Sequence, residues 1–85
     1  MKYLELSEEE LKKFYKQIAI NVRNIRKTKN VTQLDLAYSI GHKSVSTIGK
    51  IEAGLENKHY NLEQLYKIAK VLEVDICDFF KNCSL

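Results

Sequence analysis

The sequence predicts an all-α fold, and three observations carry that expectation. The chain has no proline and only three glycines in 85 residues, so it is short of the turn signals that strands need. Its apolar residues recur at steps of three and four, the spacing of one helix face, rather than alternating. Several stretches also open with helix-capping chemistry, at Ser7, Thr32 and Asn61 among others. Five helices with short connections are expected, in one compact domain over residues 1–85.

The first helix is expected across roughly 7–28. Ser7 and Glu10 make a capping box, and Leu6 and Leu11 a hydrophobic staple around it. Leu11, then Phe14 or Tyr15, then Ile18, Val22 and Ile25 mark one amphipathic face, and Asn30 ends the helix. The same pattern admits a break near Lys16. The face opposite the core is assigned Arg23, Arg26, Lys27 and Lys29, which read equally as a solvated face or as contacts to a polyanion.

Residues 32–54, TQLDLAYSIGHKSVSTIGKIEAG, are the stretch around which the chain is organised. Thr32 caps a short helix with Asp35 in its first turn, and Val31 and Leu36 form a staple across the cap. Leu34, Ala37 and Ile40, widened by Leu36, supply the apolar stripe, and Gly41 ends the helix in a left-handed turn. Ser44 caps a second helix in which Val45, Ile48 and Ile51 repeat, and Gly54 closes it. Small Ala37 lets the two helices cross closely. A helix-turn-helix explains all of this economically.

After the polar loop LENKHYN, Asn61 and Gln64 form a second capping box, with Tyr60 and Leu65 as the staple. Leu62, Leu65, Ile68, Ala69 and Leu72 are expected to form the buried stripe of that helix. Asp75 then caps a last short helix with Ile76, Phe79 and Phe80, more apolar surface than its own packing needs. Residues 82–85 read as a frayed tail.

The formal net charge is only +3, but its distribution is uneven. Residues 1–10 set Lys2 against Glu5, Glu8, Glu9 and Glu10, a net of −3. Residues 11–60 set ten Lys and Arg against Asp35, Glu52 and Glu56, a net of +7, and the remainder carries −1. Positive charge thus collects on the segment with the motif, which favours a polyanionic partner there.

TQLDLAYSIG followed by VSTIGKIEAG resembles the helix-turn-helix regulators of the phage-repressor and Cro family, the xenobiotic-response-element type. The matching features are Gln33, the Leu36-Ala37 pair, Gly41 in the turn, and Ile48, Ile51, Glu52 and Gly54. The similarity covers roughly residues 16–80. It implies a lambda-repressor-like, five-helix DNA-binding domain. Family members generally begin their first helix near the position of Ile18, so residues 1–16 are an N-terminal extension of the first helix.

A recognition helix that enters the major groove needs short polar side chains at its exposed N-terminal end. Ser44, Ser46 and Thr47 are such groups, Val45 suits a thymine methyl, and Gly49 permits close backbone approach. Lys50 can reach a phosphate or a guanine edge. The resemblance implies base reading by Val45, Ser46 and Thr47 and a backbone contact from Gln33. Val45 stands where the family often has a polar base reader, so specificity is expected to lean on methyl contacts, water and DNA shape. His42 and Lys43 lie in the turn, and Asn57 and Lys58 follow the recognition helix where the family places backbone contacts; a solvated turn is the plainer reading of His42. Glu52 is expected to pair with a basic group inside the domain.

The function expected is a sequence-specific regulator of double-stranded DNA, a repressor reading a palindromic operator as a homodimer through Ile76, Phe79 and Phe80. The alternative is a protein-interaction module, an antitoxin-like partner protein with secondary DNA binding. No catalytic constellation or phosphate-cradling loop is present, so no enzyme and no cofactor is expected. Cys77 and Cys83 read as a small core residue and a tail thiol, and with His42 and His59 they lack metal-ligand spacing. The chain has no membrane-length apolar run and no signal-peptide pattern, which predicts a cytoplasmic protein.

Overall fold

The computed structural model describes residues 4–41 and 45–83. Among them are four α-helices and one 3-10 helix. In chain order these are α1 (Glu8–Thr28), α2 (Gln33–Ser39), α3 (Val45–Ala53), α4 (Leu62–Leu72) and the 3-10 helix Ile76–Phe80. The fold is all-helical and lacks strands among the described residues.

Helix α1 runs unbroken past Lys16 for 21 residues, about 32 Å at the usual rise. The Ser7 hydroxyl accepts the Glu10 N–H at 3.1 Å, and Glu8, Glu9 and Glu10 sit where the helix dipole favours acids. Its end is set by Asn30 at φ +59°, which turns the chain so that the Val31 N–H bonds the Arg26 carbonyl at 3.1 Å. Ile18 is the first fully buried residue of α1; the turns before it flank the bundle.

Helices α2 and α3 pack on each other, and α3 also packs on α1 and α2 on α4. Thr32 caps α2 through the Asp35 N–H at 3.0 Å, and Gly41 at φ +76° ends it, the left-handed position glycine fills without strain. Leu36, Ala37 and Ile40 are the buried face of α2. Leu34, placed in that stripe from sequence, points outward and is 52% exposed, because buried Leu36 and Ala37 sit about 200° and 300° around the helix from it. Ile48 and Ile51 bury α3. Asn61 and Gln64 complete the expected capping box on α4, with bonds of 2.7 and 2.8 Å. Leu62 is exposed, so the stripe of α4 begins at Leu65.

The last element is a 3-10 helix rather than a fifth α-helix. Five residues are too few for a cooperative α-turn series. The Asn21 side-chain amide donates to the carbonyls of Phe79 at 2.9 Å and Lys81 at 2.7 Å, a latch between α1 and this element. Phe79 is fully buried at the centre of the core with Leu36, Ile48, Ile68 and Leu72. Cys77 is exposed rather than core, and Cys83 is half-buried; both are free.

Candidate nucleic-acid interface

The 3.6-residue period of α3 turns Ile48 and Ile51 inward, which leaves Val45 and Ser46 exposed and Thr47, Gly49 and Lys50 half-buried. The outward face therefore opens with one short aliphatic and two hydroxyl side chains. A glycine Cβ at position 49 would lie 3.4 Å from Gln33 Oε1, an ordinary contact. Gly49 thus lies under the Gln33 side chain.

The orientation of this face is set by one carboxylate. Glu52, at the end of α3, has a side chain only 4% exposed. Arg26 of α1 grips it with one edge of its guanidinium, Nε donating to Oε2 at 2.8 Å and Nη2 to Oε1 at 2.9 Å. Gln33 of α2 donates from Nε2 to the same Oε1 at 3.1 Å. Arg26 also donates to the Val31 carbonyl at 2.6 Å, tying in the chain just before α2. Charge-assisted, two-bonded pairs of this kind combine strength with fixed geometry, and here three helices meet at one group. Arg23, half-exposed, lies 3.9 Å from Glu52 Oε1 and adds a second cation at the rim.

The expectation that Glu52 pairs inside the domain holds, and its partner corrects another. Arg26, grouped from sequence with the basic residues opposite the core, is buried. Its place four residues after Val22 and seven after Ala19 puts it on the core stripe, because helix neighbours recur at those steps. Tyr60 packs nearby with its hydroxyl buried and without a hydrogen-bond partner among the described residues. Burial, and then the Glu52 carboxylate, push its phenol well above the ordinary tyrosine value, against a smaller opposing pull from Arg26.

The remaining site residues fall on or beside this face. Lys50 Nζ is 3.0 Å from Glu56 Oε2, a partly exposed pair that opens easily. Asn57, at φ +54°, and Lys58 follow in the exposed loop. Gln33 is half-buried at the first residue of α2, with one amide hydrogen committed to Glu52. His42, Lys43 and Ser44 lie outside the described residues. Ile76 and Phe80 are half-buried against the core, and Phe79 is entirely inside it, so Phe79 has no surface to offer a partner. Reasoning from sequence missed the Asn21 latch and the stack of Tyr15 on His59, rings 3.8 Å apart and 3° from parallel.

A family model described as helix-turn-helix, of the Cro/C1 type, matches residues 22–79. The chain belongs to this family of DNA-binding transcriptional regulators, which bind double-stranded DNA. No curated protein matches the sequence. No helix among the described residues is long and apolar enough to cross a membrane, and none of their His, Cys, Asp and Glu side chains form a group able to hold a metal ion.

Proposed function

We propose that the protein is a sequence-specific transcriptional repressor that binds a palindromic operator as a homodimer. The observation that supports this reading is the Glu52 junction. It couples α2 to α3 through buried, directional bonds while the outward side of α3 keeps short side chains suited to the major groove. In this reading Val45, Ser46 and Thr47 meet base edges with Ser44 as a further DNA contact, and Lys50 alternates between Glu56 and a phosphate. Gln33, Lys43, Asn57 and Lys58 position the duplex through its backbone. Ile76 and Phe80 pair two copies, which sets recognition helices about 34 Å apart.

Selection of duplexes from a random pool tests the proposal. An enriched palindrome with half-sites about one helical turn apart is expected. No enriched sequence, with affinity vanishing by roughly 200 mM salt, would instead support a protein-interaction module with incidental DNA binding.

A further inference from the structure

Helix α1 begins at Glu8, whereas the family match begins at residue 22. The early turns of α1 thus lie outside the family match, and they are not idle surface. Tyr15 lies flat on His59 at 3.8 Å, which holds the extension against the loop that leaves α3. Between them runs a groove with Leu11 of α1 and Ile51 of α3 among its apolar walls.

Lysines line the same groove from both sides. Lys12 and Lys16 are four residues apart on one face of α1, and Lys58 comes from the loop opposite. No carboxylate lies within ion-pairing distance of any of the three among the described residues. Glu8 also lines the groove, so it holds three cations and one anion. An apolar floor beneath unpaired ammonium groups suits an alternation of deoxyribose and phosphate. The groove also adjoins Asn57 and Lys58, and so continues from the end of α3.

We propose that this groove seats the sugar–phosphate backbone of the duplex flanking the bases that α3 reads. The α1 extension is then a second, sequence-blind arm of the DNA interface, with Lys12 and Lys16 as its phosphate contacts. This inference rests on the DNA-binding reading and adds a surface to it.

The test uses the full chain carrying Lys12→Gln and Lys16→Gln together. Both residues are exposed, so the thermal unfolding curve should not move. Binding to the selected operator and to an unrelated duplex is measured from about 50 to 200 mM salt, where each lost phosphate contact flattens the log–log slope by about 0.9. The expected result is a slope shallower by about 1.8 for each protomer bound, about 3.6 for the dimer, with an affinity loss of at least about tenfold on both duplexes. Lys67→Gln with Lys70→Gln removes the same charge from α4 and should leave the slope unchanged. The inference is overturned if the groove variant binds like wild type, if it loses affinity for the operator alone, or if the α4 variant loses as much. In each of those cases wild type still binds its operator and the DNA-binding reading stands. A wild-type protein that binds no duplex overturns both.

Discussion

Arg26 and Glu52 are joined by two parallel hydrogen bonds of 2.8 and 2.9 Å, which tie the end of α1 to the end of α3 in a site sealed from water. Their joint burial makes the pair worth more as a geometric constraint than as a source of net stability. Removing two charges from water costs several kcal/mol per ion, and the mutual attraction does little more than offset it.

Breaking this pair on one side is therefore expected to be severe. Glu52→Ala leaves a buried guanidinium unpaired and should destabilise by about 3–5 kcal/mol in urea unfolding. Replacing both partners with leucine should cost much less, because no charge is stranded. Equal losses in the single and double variants would contradict this account.

Tyr60→Phe is expected to stabilise. The hydroxyl is buried without a hydrogen-bond partner among the described residues, and such a group costs on the order of 1–3 kcal/mol, part of which its removal recovers. The raised phenol also gives a pH signature. Above about pH 10 the unfolded chain ionises this tyrosine while the folded chain retains the proton, so stability falls as pH rises. From about pH 10 upward the urea midpoint of wild type should decline more steeply than that of Tyr60→Phe.

Asn61→Ala removes the cap whose reciprocal bonds of 2.7 and 2.8 Å start α4. A loss of about 0.5–2 kcal/mol is expected in chemical denaturation, with no change in the protein's affinity per folded molecule for DNA.

Glu56→Gln separates stability from binding. The Lys50–Glu56 pair is more than a third exposed on each side, so its loss should shift stability by less than about 1 kcal/mol. It also removes a negative charge beside α3 and frees Lys50. DNA affinity should rise, which a titration at fixed salt would show.

Much of this architecture is written locally. Ser7, Thr32 and Asn61 each cap the helix that their side chain predicts, and Asn30 and Gly41 each take the left-handed turn that ends one. These signals act over three or four residues and need no tertiary context. Leu34 and Leu62 show the limit, since an apolar residue one position off a stripe looks the same in sequence whether it is inside or outside. Arg26 is a sharper case. Its charge argued for the surface, and only a partner 26 residues away makes its burial tolerable. The latch on the last element comes from Asn21, 58 residues before Phe79, and no local pattern carries that distance. The face of α3 was legible because its inward residues recur so regularly, whereas the Tyr15–His59 stack joins residues with no pattern in common.

The most direct test of the central claim is the affinity of Ser46→Ala with Thr47→Ala for the selected operator and for an unrelated duplex, measured beside wild type. Each lost base contact should cost roughly 1–3 kcal/mol on the operator, with the unrelated duplex unaffected. An operator affinity equal to wild type would mean that Ser46 and Thr47 of α3 do not read the sequence, which contradicts the account.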